Sequence, residues 1–273
     1  MAVIAEPGEP LSRDEPVAVA AGHGHRPGYF AYVPPVTGDS PIPVVVCVHG
    51  ISREPRAIVE HFLDDARARG IALLAPCFEP PRYDDYQRLG RRGRGERADL
   101  ALDGVVDHAE RFFSTEFDRR FLFGFSGGAQ FVHRYVMAHP DRIFAAVLVA
   151  AGWYTFPRRR RGYPHGLRIG GAISGVEMNP RCFLQVPQRV LVGSRDTERD
   201  AGLRKTARVD RQQGMDRVTR AREWVADMRR VAERIGCAPR VDLELLPGAG
   251  HDFADTIEAG LVSSVFEFFD EHR

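Results

Sequence analysis

At 273 residues, with 44% hydrophobic and 27% charged side chains, the chain is long enough for one large core and has the make-up of a globular protein. The 38 basic and 37 acidic residues leave a formal net charge of +1, which excludes an overall field drawing the protein to nucleic acid or to an anionic membrane. No apolar run approaches the ~20 residues of a membrane span, and Met1 to Pro7 lacks the basic and apolar stretches of a secretory leader, so a cytoplasmic protein is expected.

Residues 1–16, rich in Pro, Glu and Gly, read as a flexible lead-in, and 17–273 as a single domain. Residues 17–20 and 28–33 read as short strands about the turn-prone Gly22-His23-Gly24-His25-Arg26-Pro27, a hairpin at a sheet edge. His23 and His25 have no third ligand nearby and read as polar loop residues rather than a metal site. Val44-Val45-Val46-Cys47-Val48 is a continuous apolar run suited to a strand covered on both faces, with His49-Gly50-Ile51-Ser52 at its end. A helix is predicted from Glu54 to Arg69, with Pro55 in its first turn, Ile58, Phe62, Leu63 and Ala66 on one face, and Gly70 as its stop.

Residues 71–75 form the next predicted strand, and 76–95 read as a polar excursion over the top of the domain. A helix over 96–113 turns Leu102, Val105, Val106, Ala109 and Phe113 inward. Then comes Phe121-Leu122-Phe123-Gly124-Phe125-Ser126-Gly127-Gly128-Ala129: a buried strand, a Gly-x-Ser-x-Gly turn and the start of a helix that Pro140 closes. Such a turn strains the serine, exposes its hydroxyl beyond the sheet and leaves no room for side chains at Gly124 and Gly128. The helix starting near Gly127 aims free N–H groups at charge developing beside the serine.

Residues 143–151 form a further apolar strand, and 155–187 an irregular Arg-, Gly- and Pro-rich cover rather than a lid domain. Residues 189–193 form a strand ending at Ser194-Arg195-Asp196, and 197–214 are a charged connection. A helix over 215–235 turns Val218, Trp224, Val225, Met228, Val231 and Ile235 inward and stops at Gly236. Residues 241–246 are the last strand, Gly248-Ala249-Gly250-His251-Asp252 the loop after it, and 253–269 one closing amphipathic helix. Strands alternating with helices imply a mostly parallel sheet with helices on both faces, and ligands of such sheets lie beyond the carboxyl ends of the strands.

His49-Gly50, Ser126, Asp196 and His251 each follow a predicted strand, so they can converge on one edge. A serine hydroxyl needs a neighbouring base to become nucleophilic, a histidine suits that exchange, and a carboxylate sets its tautomer. At these residues the sequence resembles the α/β-hydrolase superfamily, serine esterase branch. Gly124-Phe125-Ser126-Gly127-Gly128 is similar to its nucleophile elbow, Gly193-Ser194-Arg195-Asp196 to its acid turn and Gly250-His251 to its histidine loop, over about residues 17–272. Gly124 to Gln130 and Tyr32-Val33-Pro34 resemble small, lid-poor polyhydroxyalkanoate depolymerases and feruloyl-esterase-like enzymes.

The resemblance implies an α/β-hydrolase fold without a large lid domain, Ser126 as nucleophile, His251 as base and then acid, and Asp196 as orienting carboxylate. Asp200 and Asp252 are the alternatives to Asp196, whose place three residues after Gly193 favours it. Gly127 N–H is the implied first oxyanion donor and Ile51 N–H the second, with His49 buttressing their loop. Trp153, Tyr154 and Phe253 follow strand ends, where they either line an acyl or aryl pocket or pack in the core.

The implied function is hydrolysis of small or medium carboxylic esters through an acyl-enzyme. A thioesterase, amidase, peptidase or acyltransferase shares the same triad, and a hydrolase-like binding protein without chemistry shares the fold. No metal cluster or nucleotide-binding glycine motif appears, so no cofactor is expected, and the expected partner is a small ester. The four cysteines, Cys47, Cys77, Cys182 and Cys237, are far apart and read as buried thiols. The basic runs within 91–97 and 158–161 read as solvated loops, or as recognition of an anionic substrate or partner.

Overall fold

The computed structural model describes residues 3–4, 15–22, 26–35 and 40–273. Among the described residues nine strands form, β1 (Val3–Ile4), β2 (Val17–Val19), β3 (Tyr29–Tyr32), β4 (Ile42–Val48), β5 (Ala72–Pro76), β6 (Phe117–Phe125), β7 (Ala145–Val149), β8 (Gln188–Gly193) and β9 (Val241–Leu246). They form one sheet in the order β1-β2-β3-β5-β4-β6-β7-β8-β9. β2–β3 and β3–β5 are antiparallel, giving the edge hairpin, and from β5 to β9 every pairing is parallel. The α-helices among the described residues are α1 (Pro55–Arg69), α2 (Ala98–Phe113), α3 (Gly127–Ala138), α4 (Pro180–Phe183), α5 (Ala207–Gln213), α6 (Arg217–Arg234), α7 (Phe253–Glu258) and α8 (Leu261–Asp270).

The continuous apolar runs of the central strands follow from burial on both faces. In β4, Val44, Val46 and Val48 point into one core with α2, α3 and α6, while Val45 and Cys47 point into the other with α1 and α8. Phe121 and Phe123 of β6 meet Phe62, Phe266 and Phe269 on the second face, and Leu122 faces the first. Each such large apolar side chain contributes roughly 1.5–3 kcal/mol on full burial. The α1 helix ends as expected, Gly70 taking the left-handed conformation at φ 63°.

Several expectations change. Val3–Ile4 is strand, paired in parallel with β2, where a lead-in was expected; the rest of residues 1–14, like His23 and His25, lies outside the described residues. The stretch 76–95 is no polar excursion. Phe78, Tyr83, Tyr86 and Leu89 are buried, Phe78 packs on Phe131 of α3, and the buried Asp85 binds Arg88 at 2.5 Å and Arg91 at 2.8 Å. Arg97 likewise pairs with buried Asp99 at 2.6 Å, so this basic run is partly tied to the fold rather than solvated.

The irregular 155–187 cover adds only the short α4, yet places Phe156, Leu167, Phe183 and Leu184 in the core. The closing helix is two, α7 and α8, broken at Gly260, whose φ is 91°. All four cysteines are unbridged, but only Cys47 is buried; Cys182 is exposed. Among the described residues no helix is long and apolar enough to cross a membrane.

Candidate active site

Ser126 sits between β6 and α3 at φ 52° and ψ −105°, a backbone conformation that costs a non-glycine residue roughly 1–3 kcal/mol. The surrounding main chain over-determines it. Ser126 N–H donates to Val149 O at 2.7 Å, and Ser126 O accepts from Gln130 N–H at 3.2 Å. A Cβ at Gly128 would lie 1.9 Å from Val48 O, and one at Gly124 would lie 2.5 Å from Gly128 C, so glycine is obligatory at both. Gly127 begins α3, whose first N–H groups have no intrahelical acceptor and carry the positive end of the helix dipole.

His251, from the loop after β9, receives the serine. Ser126 Oγ and His251 Nε2 are 3.0 Å apart, and His251 Nδ1 and Asp196 Oδ2 are 2.8 Å apart. The Asp196 carboxylate leaves β8 at a turn in which its N–H donates to Gly193 O at 3.0 Å. A Cβ at Gly193 would lie 2.3 Å from Ala249 O, so the acid loop and the histidine loop touch through bare backbone. Of the three acids weighed, Asp196 alone meets the imidazole. Asp252 caps α7, accepting from Ala254 N–H at 2.8 Å, and Asp200 binds an arginine.

That arginine, Arg217, is a residue the sequence reading missed. It is the first residue of α6, buried to 1% exposure, and its Nη1 donates to Asp196 Oδ1 at 3.2 Å while its Nη2 donates to Asp200 Oδ1 at 3.2 Å. The hydrogen bond from Arg217 holds the Asp200 carboxyl at about 2, below the usual carboxylate range. Asp200 also accepts from Gly202 N–H at 2.7 Å and Leu203 N–H at 3.0 Å. Asp196 therefore has one oxygen on the imidazole and the other on a guanidinium. Helical spacing held the signal: Arg217 lies on the same inward face as Val218, Ala221 and Trp224.

The imidazole is also held by stacking. Phe125 lies nearly parallel to it at 5.6 Å, and Phe253 meets Phe125 edge-on at 5.1 Å. Phe253 thus backs the histidine through Phe125. Trp153 and Tyr154 are core residues in this conformation. Tyr154 is wholly buried, stacks on Trp224 at 4.8 Å, and has its main chain clamped by Gln213. Trp153, 2% exposed, lies between Arg134 at 4.4 Å and Arg204 at 5.2 Å. Packing, the other reading of these two aromatics, is what the fold requires of them.

The loop after β4 abuts the serine: a Cβ on Gly50 would lie 3.6 Å from Ser126 Cβ. His49 is fully buried, donating from Nδ1 to Gly50 O at 2.7 Å and accepting at Nε2 from Phe78 N–H at 2.9 Å. Burial holds it down at about 4, so it is a neutral strut with a defined tautomer. Ile51, 52% exposed, stands over the start of α3, where a Cβ on Gly127 would meet its Cγ2 at 3.1 Å and Tyr86 Oη at 2.5 Å. An acidic cleft of about 460 Å³, with Glu198, Asp200, Asp252 and Asp255, opens beside His251. Among the described residues no group of three His, Cys, Asp or Glu side chains could hold a metal.

No protein-family model matches the chain, and no curated protein matches it significantly. Among solved structures it is similar to poly(aspartic acid) hydrolase-1 from Sphingomonas sp. KT-1, at 23% identity and TM-score 0.73 over 86% of this chain and 93% of that one. It is similar to LpqC, a poly(3-hydroxybutyrate) depolymerase from Bordetella parapertussis, at 24% identity and TM-score 0.72 over 88% of this chain and 84% of that one. An S-formylglutathione hydrolase from Agrobacterium tumefaciens aligns at 14% identity and TM-score 0.56, covering 90% of this chain and 89% of that one. The chain has the α/β-hydrolase fold, a mostly parallel sheet between two helical layers.

Proposed function

We propose that the protein is a serine hydrolase that cleaves carboxylic esters of small or medium acyl groups through an acyl-enzyme. The observation that carries this reading is the unbroken run of hydrogen bonds from Ser126 Oγ through the imidazole of His251 to Asp196. In the first step Ser126 Oγ attacks the acyl carbon as His251 Nε2 takes its proton, and the imidazolium formed is stabilised by Asp196. The tetrahedral oxyanion is received by Gly127 N–H and, in this reading, Ile51 N–H. Its collapse breaks the ester C–O bond, and His251 returns the proton to the leaving alkoxide. Water then enters by the same route, releasing the acid and restoring Ser126.

The shared fold of the ester- and polymer-cleaving proteins above is compatible with this chemistry but does not choose among acyl substrates. A thioesterase, peptidase or acyltransferase uses the same machinery, and a binding protein without chemistry keeps only the fold. A cytoplasmic setting belongs to the same proposal and rests on four unbridged thiols. Reaction with a fluorophosphonate probe, followed by peptide mapping, tests the reading: Ser126 becomes labelled, and His251→Ala removes the label. A p-nitrophenyl ester chain-length series, with Ser126→Ala as blank, then reports acyl size. An unlabelled wild-type protein means a binding module.

A further inference from the structure

A larger cleft, of about 660 Å³, lies along one flank of α6, between that helix, α5 and the loops of the 155–187 cover. It is separate from the triad. Arg217 at the start of α6 touches Asp196, whereas Asp227, which lines the cleft, is ten residues further along, roughly 15 Å at 1.5 Å per residue.

Its lining is unusual in charge. The four arginines at 158–161 are joined by Arg181, Arg211, Arg230 and Arg234, against two carboxylates, Glu223 and Asp227. Asp227 is 2% exposed and its Oδ1 accepts from Arg158 at 2.5 Å and Arg230 at 2.7 Å, while its Oδ2 is buried without a partner. One acid therefore anchors two guanidiniums at the floor. The side chains of Arg160, Arg161, Arg181, Arg211 and Arg234 are exposed and form no ion pair among the described residues. The floor between them is apolar, with Phe156 and Val231 buried and Ile235 half-buried.

Eight guanidiniums lining one cleft against two carboxylates repel one another, a repulsion that salt screens over a Debye length of ~10 Å at 0.1 M. Guanidinium forks pair in bidentate fashion with carboxylate and phosphate. A site this size, with an apolar floor and a cationic rim, matches a small molecule carrying several oxyanions on an organic body. We infer that the α6 cleft is a binding site for a multivalent organic anion bearing carboxylate or phosphate groups, distinct from the Ser126 site and independent of the hydrolase reading. It gives one of the two basic runs of the sequence an occupant.

Calorimetric titration of the full chain with mellitate, a benzenehexacarboxylate, and with phytate, an inositol hexakisphosphate, tests this, with uncharged inositol as blank. At low salt at least one anion binds, and the one preferred identifies carboxylate or phosphate as the recognised group. Arg160→Glu, Arg161→Glu and Arg234→Glu combined weaken binding roughly tenfold or more, and so does raising NaCl to about 0.5 M. The combined Gln variants, which only neutralise, weaken it less and serve if the reversal disturbs folding. Fluorophosphonate labelling of Ser126 is unchanged in both variants, or equally absent if the hydrolase reading fails. Binding of neither anion, or binding that all these substitutions leave intact, overturns the assignment.

Discussion

The two sides of the His251 imidazole are built by different means. On the serine side, position is set by main chain local in sequence: a strained φ at Ser126, two glycines that no side chain can replace, and the first turn of α3. On the acid side it is set by side chains distant in sequence: Asp196 is fastened by Arg217, which is fastened in turn by Asp200. Backbone geometry holds a nucleophile at low entropic cost because few torsions remain free. A carboxylate buried to 1% exposure instead needs a compensating charge, and only another element can supply it.

Substitutions at the two ends of the hydrogen-bonded run from Ser126 to Asp196 have the largest expected effects. Ser126→Ala lowers kcat for an ester substrate by about 10⁴–10⁶-fold with little change in unfolding midpoint, measured against wild-type background hydrolysis. Asp196→Asn preserves the shape but spoils the tautomer, for a loss near 10⁴-fold, whereas Asp252→Asn leaves kcat within a few-fold. Equal losses at residues 196 and 252 would show that the acid has been misassigned.

Arg217→Met sharpens the contrast, since it acts only on the acid side. Removing one partner of a buried ion pair costs about 3–5 kcal/mol in urea unfolding, and kcat falls as well, with partial recovery in Arg217→Lys. Because Asp200 is held at about 2, below its ordinary 3.8, its pairing stabilises the fold above pH 4 and is lost as the pH falls towards 2. Arg217→Met reduces that acid limb to what the Gly202 and Leu203 N–H bonds sustain, a loss that pH-dependent unfolding curves detect.

The serine side has its own pH signature through His49. Its imidazole is held neutral at about 4 against an ordinary 6.5, so the unfolded chain takes up the proton first as the pH drops. The contribution of His49 is complete above pH 6.5, declines by about 3 kcal/mol down to pH 4 and then levels off. His49→Gln makes that decline shallower in stability measured from pH 7.5 to 4, leaving the share of His133 and His165, which burial also holds below the ordinary histidine value. The smallest effect expected is at Phe253→Ala: loss of its edge contact with Phe125 costs about 0.5–1.5 kcal/mol and loosens the stacked imidazole, lowering kcat more than it raises KM.

What was legible in the sequence was what local geometry imposes. Gly124 and Gly128 declare a turn too tight for side chains, and Asp196 and His251 stand next to strand ends, so the elbow, the acid turn and the histidine loop could each be placed. For Arg217 only its place on the inward face of the 215–235 helix was legible; the pairing was not, because a buried arginine shows its role only once its carboxylates are found in space. Residues 76–95 misled for the reverse reason, their buried aromatic side chains being diluted by polar neighbours that face solvent. Trp153 and Tyr154 sit beyond a strand end, as pocket residues do, yet their neighbours in the fold are Arg134, Arg204 and Trp224.

The alternation of strand and helix, the doubly covered sheet and the serine turn follow from the amino-acid order alone, because periodicity and steric exclusion act between residues close along the chain. Tertiary structure alone decided which acid meets His251, what neutralises it, which aromatics are core, and that eight arginines from separate segments share one cleft. Those outcomes depend on desolvation and on charge across long sequence separations, and both acquire values only once the chain has folded.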